Sequence, residues 1–149
     1  MSRGSETAIL TAIHAPGAVQ SVVATVPANV IAGSHPPGSP ARLRNGHPLP
    51  YADHQRPDDE NPDALIPVER VCGPVLLIAA GADQVWPSAQ MARSLSARLG
   101  PATSAARPGT PSWTPPAGHS LGYLVPRLPL GLLPPGITDQ PADQAARAR

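Results

Sequence analysis

The chain has 149 residues, 22 of them proline and 13 glycine, with a net charge of +1. That length predicts one domain with a single core, and its arginines, spread from Arg3 to Arg149 with no lysine beside them, form no stripe that could track a phosphate backbone, which excludes nucleic acid as a partner. A single cysteine excludes an internal disulfide, and the apolar stretch 121–137 is broken by four prolines and Arg127, which excludes a spanning helix.

No basic segment followed by an apolar one opens the chain, so a cytoplasmic protein without a membrane partner is expected. The joint absence of Phe and Lys points to a GC-rich, bacterial genome and leaves the core to Leu, Val, Ile and Ala. Residues 4–14, GSETAILTAIH, put Ala8, Ile9, Ala12 and Ile13 on one helical face, and Pro16-Gly17 stops the helix. Residues 19–26, VQSVVATV, read as a strand covered on both faces. A proline- and glycine-rich excursion follows over 32–63, within the one domain of 1–149. The apolar run 74–80 predicts a central parallel strand, with Cys72 as a small buried filler just before it. Residues 88–99 predict a helix with Met91 or Ala92, Leu95 and Leu99 on its apolar side and Ser88 as its cap. Residues 100–118 carry five prolines and give no clear strand, and 141–149 form a weak helix. This order of elements predicts an α/β fold in which 19–26 and 74–80 lie side by side and parallel, with 88–99 packed on one face.

Three residues in this frame carry chemistry. Ser2-Arg3-Gly4 runs directly into a helix, as a nucleophile elbow does, although Ser2 could equally be a helix cap. Asp83 follows the best strand, in AAGADQVWP, where a simple turn residue would also fit. His119 comes last, in PPAGHSLGY, and could be an ordinary loop histidine. The order Ser, Asp, His is that of α/β-hydrolases, and it places Asp83 and His119 in loops that should meet at one sheet edge. Trp86 should pack beside the acid loop. Asn29 reads as a turn residue, Arg70 and Arg93 as surface charge, and His14, His35, His47 and His54 as solvent-facing.

The segments IPVERVCGPVLLIAAGADQVWPSAQMARSL and AGHSLGYLVPRLP resemble the C-terminal domain of acyl-CoA thioester hydrolases and bile acid-CoA:amino acid N-acyltransferases. SRGSETAIL with VVATVPANVIAGS resembles the same family's nucleophile helix and next strand, and NGHPLPYA its connector. The resemblance implies the C-terminal part of an α/β-hydrolase fold: a partial parallel sheet with flanking helices and long Pro-rich loops. It implies acyl-coenzyme A as substrate and no cofactor or metal, with Ser2 as nucleophile, Asp83 as acid and His119 as base. It leaves open hydrolysis, transfer to an amino acid, and a non-catalytic interaction module. The resemblance further leads one to expect a chain truncated at both ends relative to the family, with Ser2 loosely held and little thioesterase activity.

Overall fold

Helix α1, Arg3–His14, buries Ile9, Leu10, Ala12 and Ile13 along one side, as the spacing of its apolar residues dictates. Ala8, expected on that face, is only half-buried, and Leu10 is buried instead. The helix closes where the Ala15 amide bonds the Thr11 carbonyl at 2.8 Å. Pro16 then opens a single 3-10 turn, Pro16–Ala18, because proline cannot extend the α-helical ladder. The structure, a computed structural model, describes residues 2–34, 39–52, 61–99 and 118–119.

Strand β1, Val22–Thr25, is the first half of a parallel pair whose other half, β4, Val75–Ile78, comes much later in the chain. Their register sets Val22 beside Val75 and Thr25 beside Ile78. β1 is shorter than its apolar sequence because Val26 turns to a φ of 45°, which no strand accommodates. Gly73 fixes the other end of the pairing: a side chain there would run into the carbonyl of Gln20.

Among the described residues the two strands are covered on one face only. Val22, Ala24, Val75 and Leu77 are buried, whereas Val23 is 58% exposed and Leu76 42%. Side chains alternate across a strand, and α1 and α2, the latter Ser88–Arg98, share one core with the buried set. A continuous apolar run does not reveal which of its faces will find a cover. Burying each of these Val and Leu side chains contributes roughly 1.5–3 kcal/mol, and that gain accrues on one side of the sheet.

Helix α2 buries Met91, Ala92 and Leu95, with Leu99 just beyond its end. Ser88 is not its cap. Pro87 occupies the cap position, and the Ser88 hydroxyl accepts from the Ala80 amide at 3.2 Å and donates to the Ala80 carbonyl at 3.4 Å. It therefore ties the start of α2 to the segment leaving β4.

The described parts of the excursion 32–63 hold regular structure. Strands β2, Leu43–Arg44, and β3, His47–Pro48, form a hairpin through Asn45-Gly46, both at positive φ, the geometry that favours Asn-Gly. Bridges from Val30 to Leu65 and from Ala32 to Ala52 fasten it to the core. Cys72 is exposed, not buried: Val71, extended just after the 3-10 turn Val68–Arg70, takes the buried place at 2% exposed, and successive side chains of an extended segment point to opposite sides. Asn29 is more than a turn residue: it is 1% exposed, and its side-chain amide donates to Ser94 Oγ of α2 at 3.2 Å. Arg70, Arg93 and His47 are exposed, and His14 is half-buried. His35, His54, the proline-broken segment up to residue 117 and the weak helix at 141–149 lie outside the described residues.

Candidate active site

The carboxyl ends of β1 and β4 meet the start of α1, and the unusual backbone gathers there. Ser2 has φ 55° and ψ −128°, a conformation that costs a residue with a side chain about 1–3 kcal/mol. It persists because the surroundings hold it. The Ser2 amide donates to the Thr25 carbonyl at 2.9 Å, and Ser5, one turn into α1, clasps the same residue twice. Its hydroxyl donates to Thr25 O at 2.7 Å and accepts from Thr25 N at 2.9 Å. Ser2 is thus anchored to β1 through its own amide and is not the loose terminus that the sequence suggests. Among the described residues three non-glycines have positive φ; Ser2 and Val26 lie here, and Asn45 serves the hairpin turn.

Asp83 reaches the same edge from the segment after β4. Its Oδ1 accepts the backbone amides of Val85 at 2.9 Å and Trp86 at 3.2 Å, so the carboxylate closes its own turn and is oriented by it. The side chain is 1% exposed. His119 arrives from far along the chain, is buried with Gly118, and sets Nδ1 at 2.9 Å from Asp83 Oδ2 and 3.0 Å from Oδ1. Its Nε2 lies 2.9 Å from Ser2 Oγ. An ionised carboxylate only accepts hydrogen bonds, so the network assigns the proton to Nδ1 and leaves the Nε2 lone pair to accept from the Ser2 hydroxyl. Trp86 packs edge-on against the imidazole, centroids 4.6 Å apart at 88°, and limits how far the ring can tilt.

The electrostatics suit a negative charge forming beside Ser2. The positive end of α1 points at it, and among the described residues the Arg3 amide, in the first helical turn, donates to no acceptor. In a nucleophile elbow the residue two after the serine is glycine because a side chain there would clash, and Gly4 does not play that part. Nothing described lies within 4 Å of where its side chain would begin, so close packing does not explain a glycine at that position. No group of three His, Cys, Asp or Glu able to hold a metal ion occurs among the described residues, and no described helix is long and apolar enough to cross a membrane.

Two site residues escaped the sequence reading. Glu6 is 1% exposed, and Arg42, from the segment leading into β2, sets its Nε 3.2 Å from Glu6 Oε1. Burial raises the Glu6 pKa above its usual value, against the opposing pull of Arg42, the Ala32 backbone and Arg3. The signal for Glu6 was present: it stands three residues before Ile9 and seven before Ile13, on the apolar face. Nothing in the sequence marks Arg42.

Residues 1–131 match the family model of the BAAT / acyl-CoA thioester hydrolase C-terminal domain. The chain belongs to that family. For this BAAT / acyl-CoA thioester hydrolase domain the family implies an α/β-hydrolase-like fold and acyl-CoA chemistry, and the parallel β1–β4 pair with its two helices is compatible with that fold. No curated protein and no solved structure gives a significant match.

Proposed function

We propose that this chain cleaves an acyl-CoA thioester through a covalent acyl-serine, with Ser2 as nucleophile, His119 as base and Asp83 as the group that orients it. One observation carries the reading: Ser2 Oγ, His119 and Asp83, from three distant parts of the chain, form a continuous hydrogen-bonded row with both links at 2.9 Å. Family membership supplies the substrate class.

In the first half-reaction Ser2 Oγ attacks the thioester carbonyl carbon while its proton passes to His119 Nε2. The carbonyl oxygen becomes an oxyanion facing the Arg3 amide and the N-terminus of α1. Collapse of this adduct breaks the carbon–sulfur bond, and the departing coenzyme A sulfur takes the proton from His119. In the second half, water gives a proton to His119 and attacks the acyl-serine; the acid leaves as Ser2 Oγ recovers that proton. Asp83, held by two backbone amides, keeps the imidazole in the required tautomer and stabilises its cation.

Coenzyme A release from short- and long-chain acyl-CoA by residues 1–149, compared with Ser2→Ala, tests the proposal. Turnover that vanishes in Ser2→Ala supports it. A wild-type chain without turnover would match the expectation of an inactive domain and sink the hydrolase reading.

A further inference from the structure

Burying a carboxylate one helical turn from a reactive serine needs a reason, because a buried ion pair seldom stabilises a fold more than apolar side chains of the same volume do. Glu6 is such a carboxylate, and the proposed chemistry does not use it. Its satisfaction is marginal: Arg42 Nε stands 3.2 Å from Oε1 and the Ala32 backbone stabilises its charge, but among the described residues neither oxygen completes a well-aligned hydrogen bond. Arg42 makes a second contact in the same place: one of its terminal nitrogens donates to the Arg3 carbonyl at 3.0 Å. The Ser2 carbonyl in turn accepts from the Ser5 amide at 2.9 Å and from the Glu6 amide at 3.4 Å. The first peptide unit after Ser2, which carries the Arg3 amide, is thus held by the helix backbone, and the second, which carries the Arg3 carbonyl, is held by Arg42 together with the Thr7 hydroxyl at 3.0 Å.

We infer that Glu6 and Arg42 are a positioning pair for the turn that carries Ser2. Glu6 holds the guanidinium and the guanidinium holds the Arg3 carbonyl, which restrains the Arg3 backbone from the far side of its Cα and so limits how far the Arg3 amide, on which an oxyanion would rest, can swing. This rests on the reading of Ser2 as nucleophile. The arrangement explains why the residue is arginine: one planar fork reaches the carboxylate and the carbonyl together, whereas a lysine ammonium can serve one or the other. It also gives the β2–β3 hairpin a task. The Leu49 amide bonds the Arg42 carbonyl at 3.0 Å and anchors Arg42 from the hairpin side. Arg42 is 23% exposed and Glu6 1%, so the charge that loses its partner in a Glu6 variant stays in contact with water.

The test pairs two readouts, coenzyme A release and the rate at which a fluorophosphonate reagent labels Ser2, on wild type, Arg42→Ala, Arg42→Lys and Glu6→Gln. The folded fraction of each variant is measured by circular dichroism. Arg42→Ala should slow both readouts by about 10- to 100-fold per folded molecule, the size expected of a sub-ångström to ångström misplacement. The loss should fall on kcat while KM stays within about twofold. Arg42→Lys should recover part of the loss, and Glu6→Gln should slow labelling while remaining folded. Variants that label at the wild-type rate, or lose rate only in proportion to the unfolded fraction, overturn the pair and leave the serine reading intact. A wild-type Ser2 that the reagent never labels overturns both.

Discussion

The two ends of the β1–β4 pair are built from the same strands and have opposite characters. At the amino end the chains touch through ordinary backbone: Val22 N bonds Pro74 O at 2.9 Å, and Gly73 admits the Gln20 carbonyl by having no side chain. At the carboxyl end stand Ser2 and Val26 with positive φ, the buried Asp83 and His119, and the buried Glu6. Each of these raises the free energy of the folded state unless a partner compensates it. Close packing sets the first end. The second is held by a web of hydrogen bonds to groups that would be unfavourable alone, which is the arrangement a reactive site needs.

The largest effect is expected at the carboxyl end from Ser2→Gly, which removes the proposed nucleophile and tolerates the backbone angle. Coenzyme A release should fall by about 10⁶-fold. Thermal unfolding should come no earlier than in wild type, because strain of about 1–3 kcal/mol is relieved. A clear fall in Tm would mean that Ser2 stabilises this end. Asp83→Asn should lower kcat by about 10⁴-fold by favouring the wrong imidazole tautomer; retained activity in that assay would remove Asp83 from the row.

Gly73→Ala probes the amino end. It should destabilise the fold by about 1–3 kcal/mol, read by urea unfolding, since the added methyl meets backbone and not a movable side chain. Activity per folded molecule should not change. If it does, the two ends are coupled and the contrast fails.

The smallest effect is the pH dependence of Glu6. Burial raises its pKa in the folded state, so the folded chain holds that proton more tightly than the unfolded chain does. The stability this group contributes is full below its unfolded value of 4.5 and is lost as pH rises through the higher folded value. Glu6→Gln should therefore match wild type in Tm near about pH 4 and exceed it slightly near about pH 7. A variant that is less stable at neutral pH would show that pairing with Arg42 outweighs burial.

Much of this was legible in the chain. Helical spacing announced Ile9 and Ile13 in α1 and Leu95 in α2 with Leu99 just past its end, and apolar runs announced β1 and β4. Where the local signal was ambiguous, the reading failed. Ser88 looked like a cap but binds the Ala80 backbone, and Cys72 looked like core but is exposed while its extended neighbour Val71 is buried.

By itself the sequence determined α1, β1, β4 and α2 and their order, and it singled out Ser2, Asp83 and His119 as candidates, because periodicity and chain order are properties of neighbours along the chain. Tertiary structure alone decided that only one face of β1 and β4 is covered among the described residues, that Ser2 is pinned to Thr25 in a strained turn, and that Arg42 closes on Glu6 and Arg3. The physical reason is common to all three. Coverage, strain and ion pairing depend on which distant segments arrive at the same point, and no stretch of local sequence carries that.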